Sequence, residues 1–353
     1  MDEWDISFFG SKKKDKSKPS QKVEVEPKNS KASQNDKIIS RPTTEVDYRT
    51  DNPYIGLAIV LNHKNIKGQR PRNGAEKDCK DITASLENYG FQVRVYNDLK
   101  KKKISTLLNS VAAEDHSQYD CFVVVVMSHG DKGRICAADD FYSTEELWEP
   151  LLGDKCPTLL GKPKLFFIQA CRGTRIEQPV LIASRAYFQA TVFPSSAAVD
   201  RTMYAIPTTA DILVMYSTFE DYYSFRNSVS GSWFIQSLCS ILNEAAESKE
   251  AQTVGVELMR LLTAVNRKVA YEYQSYSDNE LINEKKEMPN FMSTLTKTFY
   301  LRVKPKNADA KIDVLPDGEE ENEPKNDFEE KLNRIFNTNT DFSALPISPQ
   351  YYI

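Results

Sequence analysis

Histidine is scarce in this sequence, and cysteine lacks the spacing of a metal site or a redox motif. The 353 residues include three histidines and six cysteines. There is no C-x-x-C pair, and the histidines show no ligand-like spacing. Several cysteines lie within apolar runs, which is typical of structural thiols in a reducing compartment. We therefore expect no metal ion and no other cofactor.

The chain also lacks a long apolar run and a strong excess of one charge. Its longest apolar run, residues 121–127, has seven members, whereas a membrane-spanning helix needs about 20. The acidic start of the chain differs from a signal peptide. A formal net charge of -4 does not favour nucleic-acid binding. We expect a cytoplasmic protein without membrane or nucleic-acid partners.

The two ends of the chain are poor in core-forming residues. Residues 1–47 carry ten Lys/Arg and nine Asp/Glu, and they show no sustained apolar period. Residues 305–353 carry five Lys/Arg and eleven Asp/Glu. Such compositions are typical of disorder. We interpret residues 1–47 as a disordered arm and residues 305–353 as an acidic, flexible extension.

Strand and helix patterns alternate between these ends. Gly90 favours the end of the first helix, and Asn97 or Asp98 is predicted to cap the second. Alternating strands and helices indicate an α/β fold, in which helices cover both faces of a parallel sheet. From the apolar periodicity, the predicted strands are 54–61, 91–96, 121–127, 165–169, 212–216 and 291–301, and the predicted helices are 75–89, 99–111, 232–247 and 253–273.

One thiol lies where a predicted strand ends. The pentapeptide Gln169-Ala170-Cys171-Arg172-Gly173 closes the apolar run 164–168. Open α/β folds place their chemistry at the carboxyl ends of strands. Cys171 is thus a candidate nucleophile, and it requires a base and donors for an oxyanion.

His129 is the candidate base. It follows the strand 121–127, so two parallel strands ending side by side would bring it to the same sheet edge as Cys171. Gly130 has no side chain that would block its N–H from a substrate carbonyl. His63 and His116 lie in polar loops and are weaker candidates. Each residue alone would more often be structural, and it is the joint placement that favours catalysis.

These motifs, together with residues 222–228 and 231–236, resemble the caspase family and in particular its effector branch. The similarity extends over residues 54–303. It implies a caspase-like, mostly parallel six-stranded sheet sandwiched between helices, with a large and a small subunit in one precursor. It also implies a cysteine endopeptidase that cleaves proteins after aspartate, with Cys171, His129 and Gly130 as catalytic residues.

The resemblance further implies a pocket for the substrate aspartate, formed by Arg72, Gln169 and Arg226. A buried carboxylate requires cations, and the planar guanidinium group binds it through two hydrogen bonds. Spacing alone would not identify these residues.

The outer substrate contacts implied by the resemblance are Tyr223, Ser224, Phe225, Asn227 and Trp233. Asn227 and Trp233 match positions that receive an acidic residue four places before the cut. Phe225 stands where effector caspases usually have Trp. We therefore expect a preference like Asp-Glu-Val-Asp with a changed residue before the final aspartate.

Caspases are made as zymogens and cut between their subunits. The implied division is a short prodomain (1–47), a large subunit (48–200), a small subunit (201–304) and the extension (305–353). Asp200 is the predicted connector cut, made by an upstream initiator protease because its upstream residues do not fit the enzyme's own preference. The sequence before Asp47 does fit that preference, which predicts self-removal of the arm.

The prodomain is too short for a recruitment domain, which favours an effector role in apoptotic execution. The resemblance implies a homodimer joined through the predicted strand 293–301. Expected partners are protein substrates with aspartate at the cut, an initiator protease and inhibitor-of-apoptosis-type proteins.

Three other functions are weighed against this one. A catalytically weak or silent caspase-like regulator would bind active caspases, but such forms typically lose some of the residues retained here. A protease of the same fold that cuts after basic residues or asparagine would need a neutral or acidic pocket. A nucleotide-binding protein is disfavoured because no phosphate loop follows the first strand.

Overall fold

The structure is a computed structural model that describes residues 45–179, 206–277 and 280–307. The predicted arm up to residue 44, most of the predicted extension, and Asp200 lie outside these ranges. In chain order the elements are β1 (Tyr54–Asn62), α1 (Ala75–Asn88), β2 (Gln92–Asn97), α2 (Lys101–Ala112), β3 (Tyr119–Met127), β4 (Gly130–Asp131), β5 (Arg134–Cys136), β6 (Phe141–Ser143), β7 (Lys164–Gln169), β8 (Ile212–Tyr216), β9 (Arg226–Asn227), β10 (Gly231–Ser232), α3 (Trp233–Ala246), α4 (Lys249–Thr253), β11 (Val256–Glu257), α5 (Leu258–Glu272), β12 (Asn290–Ser293) and β13 (Tyr300–Leu301).

Six strands form the central sheet, in the order β12-β8-β7-β3-β1-β2. All neighbouring strands are parallel except β12, which runs antiparallel to β8. Every residue of β3 and β7 is buried, as expected for strands covered on both faces. The predicted mostly parallel, six-stranded sheet is confirmed.

Each face of the sheet carries its own hydrophobic core. On one face, Val60 and Val123 pack with apolar residues of α1, α3 and α5. On the other face, Ile59 and Val124 pack with α2 and with short 3-10 turns between β6 and β7. The period-2 alternation of side chains along each strand sends successive residues to opposite cores. Among the described residues, no helix is long and apolar enough to cross a membrane.

The first helix ends as predicted, at Gly90. This residue has φ of 90°, a conformation that glycine adopts without steric cost. A neighbouring segment also leaves no room for a side chain here. Lys304 N donates to Tyr89 O at 3.0 Å, which brings the backbone of Lys304 against position 90. A Cβ at position 90 would lie 1.9 Å from Lys304 O. The end of α1 is therefore also the place where the backbone of Lys304 packs against this helix.

The predicted cap of α2 is wrong. Asp98 lies before the helix with φ of 50°, and its carboxylate accepts hydrogen bonds from Lys64 N and Asn65 N instead. Asp139 satisfies the first turn of α2 by accepting from Lys101 N at 2.8 Å. A cap supplied from 38 residues away leaves no signal in the local sequence.

Two further boundaries differ from the prediction. The helix predicted over 253–273 begins at Leu258, because residues 256–257 form β11 and pair with β13. The strand predicted over 291–301 is two strands, β12 in the central sheet and β13 against β11. Apolar alternation continues across both breaks, so it does not reveal that the chain changes partners between sheets.

We predict that Gly90→Ala destabilises the protein more than Gly133→Ala. Gly133 also has positive φ, 67°, but no atom within 4 Å of the position of a Cβ. Gly133→Ala should lower the free energy of unfolding by about 1 to 2 kcal/mol, the cost of the left-handed conformation. Gly90→Ala adds the collision with Lys304 O and should cost more. Chemical denaturation of the full chain measures both; equal losses would show that the contact at Gly90 has no energetic consequence.

Candidate active site

The ends of β3 and β7 place the two predicted catalytic side chains at one edge of the sheet. Met127 pairs with Gln169 in the parallel register of these strands, and Ser128 N donates to Gln169 O at 3.0 Å. His129 and Cys171 each follow this paired row by two residues. The topology therefore brings together residues that are 42 positions apart in sequence.

Gly130 lies directly against the backbone of the nucleophile segment. A Cβ at this position would be 2.8 Å from Cys171 O and 3.0 Å from the Ala170 Cβ. Real Cβ atoms do not approach a carbonyl oxygen so closely, so a side chain here would push the two strand ends apart. Glycine thus permits the close approach of the His129 and Cys171 segments.

His129 is neutral at physiological pH. Burial, followed by the charges of Arg72 and Arg226, lowers its pKa to about 3. Its Nε2 lies 3.4 Å from Arg70 O. Among the described residues, no hydrogen bond joins His129 to Cys171. A neutral imidazole at this place is chemically able to accept a proton.

The Cys171 thiol lies against residue 224. Its Sγ is 3.5 Å from Ser224 N, which donates to it, and 3.8 Å from Ser224 O, which accepts from it. Burial raises the pKa of the thiol, while the Ser224 N–H and then the charge of Arg226 act to lower it. The thiol is therefore protonated at neutral pH, and nucleophilic attack requires a base.

Two buried guanidinium groups flank this edge. Arg72 is 0% exposed; its Nη1 donates to His63 O at 2.7 Å, and its Nε and Nη2 have no hydrogen-bond partner among the described residues. Arg226 is also buried, and its Nε donates to Asn73 O at 2.9 Å. Burial, followed by repulsion from Arg226, lowers the pKa of Arg72 to about 9. The pair forms a cationic pocket with donors still to be satisfied.

Gln169 adds a polar wall to this pocket. The side chain is buried, and its Nε2 donates to Ser224 Oγ at 2.7 Å. Its Oε1 has no partner among the described residues. Unpaired buried polar atoms are costly in a folded protein. The unpaired Nε and Nη2 of Arg72 are donors that fit an anionic ligand, whereas the Gln169 Oε1 atom can only accept a hydrogen bond.

The outer predicted residues form an aromatic wall. Phe225 stacks on Trp233 with ring centroids 4.6 Å apart and planes at 16°, and Trp233 contacts Tyr273 at 5.5 Å. Both Phe225 and Trp233 are buried. Asn227 Oδ1 accepts from Val229 N and Ser230 N in the turn after β9. Tyr223 is half-buried beside this wall.

Two buried acids near the site were not predicted from the sequence. Asp78 accepts hydrogen bonds from Ser232 N and Ser232 Oγ, at 2.9 and 2.8 Å, and thereby ties α1 to the start of α3. Glu287 contacts Ser224 and Phe225. Nothing in the spacing of either acid distinguishes it from a surface carboxylate, so no pattern in the sequence would have identified it.

The two remaining histidines lie in loops, as predicted, but their side chains are buried. His63 and His116 are both 0% exposed. Their Nε2 atoms contact Leu99 O at 3.1 Å and Val111 O at 2.8 Å. Each ring is therefore held by a main-chain carbonyl, and neither makes a hydrogen bond to Cys171 among the described residues.

Of the predicted processing residues, Asp47 is described and Asp200 is not. Asp47 forms a parallel bridge with Thr298. On either side of it, Thr298 N donates to Val46 O and Tyr48 N donates to Thr298 O, both at 2.8 Å. The predicted cleavage sequence is thus paired with another segment.

All six cysteines are free thiols. Within the ranges the structure describes, no group of three or more His, Cys, Asp or Glu side chains is arranged to hold a metal ion.

Comparisons with known proteins agree with this geometry. The profile of the peptidase C14 family, the caspase domain, matches residues 55–300. Caspase-7 of Gallus gallus is 38% identical over 301 residues, which span 84% of this chain and 89% of that protein. Caspase-3 of Bos taurus is 39% identical over 259 residues, or 72% of this chain and 88% of that protein.

A solved structure supports the same assignment. The crystal structure of caspase-1 from Spodoptera frugiperda superposes with a TM-score of 0.66 at 33% sequence identity, covering 75% of this chain and 99% of that one. The chain belongs to the caspase family and is a cysteine-type endopeptidase with specificity for aspartate.

Proposed function

We propose that Cys171, His129 and Gly130 carry out the cleavage and that Arg72, Gln169 and Arg226 bind the substrate aspartate. The observation that supports this most strongly is the thiol near two buried arginines, one of which, Arg72, has two unpaired donor nitrogens. Aspartate provides the carboxylate that such a pocket accepts, because bidentate hydrogen bonds offset its desolvation.

The proposed reaction begins with proton transfer from the thiol to His129. Cys171 Sγ attacks the main-chain carbonyl carbon of the substrate aspartate, and the backbone N–H groups of Gly130 and Cys171 donate to the oxyanion. The C–N bond breaks as His129 returns the proton to the leaving amine. Water then hydrolyses the thioester, which releases the acid and restores the thiol.

Substrate binding should strengthen the base. The positive charges of Arg72 and Arg226 contribute to the low pKa of His129. A substrate carboxylate placed between them offsets these charges and raises that pKa. The free site then holds His129 neutral, and the occupied site makes it better able to accept the thiol proton.

We further propose an effector caspase made as a zymogen and acting in apoptotic execution in the cytoplasm. Similarity to caspase-7 and caspase-3 supports the effector branch. The proposed division (1–47, 48–200, 201–304, 305–353) puts β7 and β8 on opposite sides of the cut at Asp200, although these strands are adjacent in one sheet. The two subunits would therefore stay associated through a shared core after cleavage.

The partners that we propose follow from this role. They are protein substrates with aspartate at the cut, an initiator protease that cleaves at Asp200, inhibitor-of-apoptosis-type proteins, and a second copy of the chain. β12 lies at one edge of the central sheet, and an edge strand offers unpaired backbone groups for pairing with a copy across a two-fold axis. The strand predicted over 293–301 to join the two copies corresponds in the structure to β12, Asn290–Ser293.

The alternative, a silent regulator that binds active caspases, is disfavoured by the retained thiol, imidazole and arginine pair. It predicts binding without turnover. Activity measurements therefore distinguish the two functions directly.

We predict that Cys171→Ala lowers kcat/KM toward a peptide ending in aspartate by more than about a thousandfold, because it removes the nucleophile. The matched control is Cys79→Ala, which changes the other half-buried thiol and should leave activity unchanged. A fluorogenic assay on protein cleaved at the connector measures both. Equal loss in both variants would contradict the assignment, and an inactive wild-type protein would favour the silent regulator.

We predict that a peptide library shows a preference for an acidic residue at the fourth position before the cut. Phe225→Trp should change the preference at the second position, since Phe225 stacks on Trp233 within the proposed substrate wall. The aspartate requirement should not change in this variant. A profile without any gain from acidic residues at the fourth position would contradict the proposed outer pocket.

We predict that Tyr48→Phe accelerates cleavage after Asp47. Tyr48 is buried, its hydroxyl donates to Asp211 Oδ1 at 2.5 Å, and it accepts from Thr296 N at 2.9 Å. A protease has to release this segment from Thr298 before cutting, so the rate follows the local opening equilibrium. Loss of about 1 kcal/mol of hydrogen bonding should raise the rate about fivefold.

The control for this prediction is Tyr54→Phe, which removes a hydroxyl from another part of the same subunit. Intact-mass spectrometry over time measures the cut. Equal rates in the two variants would show that the Tyr48 contacts do not limit processing. Cleavage of the Cys171→Ala protein without added protease would contradict self-removal of the arm.

A further inference from the structure

Glu287 is a buried carboxyl group beneath the proposed substrate-binding segment. It is 1% exposed and lies three residues before β12. Ser224 Oγ donates to its Oε1 at 3.1 Å, and Phe225 N donates to its Oε2 at 2.5 Å. The two carboxyl oxygens thus contact two consecutive residues, one oxygen each, in the segment that lies beside the thiol.

Ser224 links this carboxyl group to the thiol. Its hydroxyl accepts from Gln169 Nε2 at 2.7 Å, while its N–H and carbonyl contact Cys171 Sγ. Glu287, Ser224 and Gln169 therefore form one buried hydrogen-bonded row. Displacement of Glu287 would move the backbone of Ser224 relative to Cys171 Sγ.

The carboxyl group has no cationic partner among the described residues. Burial raises its pKa to about 8, although the Phe225 N–H and the Ser224 hydroxyl act to lower it. In its own loop, Lys285 Nζ donates to Gln178 Oε1 and Lys286 Nζ donates to Tyr273 O. A charge on Glu287 is therefore not neutralised by the neighbouring lysines.

The other charged or titratable groups around this place belong to the site itself. From the segment above it, Arg226 is directed toward Asn73 O, and Tyr223 is half-buried with a pKa raised by burial and then by Cys171. From the end of β7, Cys171 faces it, and a negative charge on Glu287 raises the pKa of that thiol. Ionised Glu287 opposes formation of the thiolate.

We propose that Glu287 is a positioning residue that holds Ser224 and Phe225 against Cys171 in its protonated form, and that its ionisation lowers protease activity at alkaline pH. This inference rests on the proposed function. The ionised carboxylate accepts from Ser224 Oγ and from Phe225 N. In the acid form the first of these hydrogen bonds is reversed, so that Oε1–H donates to Ser224 Oγ while Oε2 still accepts from Phe225 N. Ionisation turns this hydrogen bond around and leaves a buried charge beside the nucleophile, which is costly without a cationic partner.

Glu287→Gln imitates the acid form at every pH. Its amide N–H group can donate to Ser224 Oγ, and its amide oxygen can accept from Phe225 N. The matched control is Glu284→Gln, in the same loop, because Glu284 is exposed and makes no contact with Ser224 or Phe225 through its side chain among the described hydrogen bonds. Both variants remove one carboxyl group from residues 280–290.

The first test is the pH profile of kcat/KM for a fluorogenic peptide ending in aspartate. Wild-type and Glu284→Gln proteins should lose activity above pH about 8, approaching about tenfold per pH unit. Glu287→Gln should retain its activity through this range, with the alkaline decline displaced upward. The same alkaline decline in Glu287→Gln as in wild type would overturn the proposal.

The second test does not depend on activity and uses thermal unfolding of each protein in a Cys171→Ala background. The pKa of Glu287 is raised from 4.5 to about 8, so the native state holds its proton more tightly than the unfolded state. Its contribution to stability is therefore complete below pH 4.5 and is lost as the pH rises to about 8. The melting temperature of Glu287→Gln relative to wild type should rise across this window and then level off.

A constant difference in melting temperature across that window would overturn the proposal. If wild-type protein fails to cleave after aspartate while the melting temperatures follow this course, the proposed function fails and the protonation of Glu287 stands. Glu287→Ala should also lose about tenfold in kcat/KM at neutral pH, because Phe225 N is left without its acceptor. Glu287→Gln, which keeps an acceptor for Phe225 N, should have the wild-type kcat/KM at neutral pH.

Discussion

The burial of two like-charged guanidinium groups is the constraint on which the site depends. Arg72 and Arg226 are buried and form no salt bridge within the described residues. Burial lowers the pKa of both, and the charge of Arg226 lowers the pKa of Arg72 further. Isolated buried charges are expensive, so the fold has to hold them in place against their repulsion. The stabilisation comes from main-chain oxygens of residues 63 and 73 and, at longer range, from Asp78.

The sheet supplies the rigidity that this arrangement needs. The thiol and the imidazole follow neighbouring strands whose hydrogen-bonded row continues to residues 128 and 169. Arg226 comes from β9, which pairs with β10 at the start of α3. Asp78 joins that start to α1, the helix that follows Arg72. Arg72 and Arg226 are therefore connected to helices α1 and α3, which pack into one hydrophobic core. This packing limits the movement of the two charges.

The same charges act on the proposed chemistry. Burial, followed by these charges, holds the pKa of His129 low in the free site, so the imidazole is neutral before substrate arrives. Glu287 acts in the opposite direction on the thiol, since its ionisation would raise the pKa of Cys171. Burial raises the pKa of the thiol, which is then lowered by the buried arginines and raised by a negative charge on the buried Glu287 carboxyl group.

Local patterns in the sequence are sufficient for the strands, since residues 121–127 and 212–216 are continuous apolar runs and were predicted within two residues of their observed ends. The paired ends of β3 and β7 also follow from the sequence, because parallel topology needs only the alternation of strands and helices. The pocket required resemblance to a family, as the arginines carry no signal of burial.

What the sequence does not reveal depends on distant contacts. Asp139 caps α2 from 38 residues away, and β13 leaves the apolar pattern of β12 to pair with β11. Glu287 appears in the sequence as an ordinary charge in a polar loop, and only the packing of Ser224 and Phe225 onto it shows that it is buried. Composition and periodicity describe a residue's neighbours in sequence, whereas these three features depend on neighbours in space.

The most direct test of the account compares peptides that differ only in the residue before the cut, aspartate against its uncharged isostere asparagine and against arginine. The buried arginine pair predicts that kcat/KM for aspartate exceeds that for asparagine by at least about a thousandfold, because an amide leaves buried cations without an anion. Cleavage after asparagine within about tenfold of aspartate, or preferential cleavage after arginine, would contradict the proposal that Arg72 and Arg226 select the substrate.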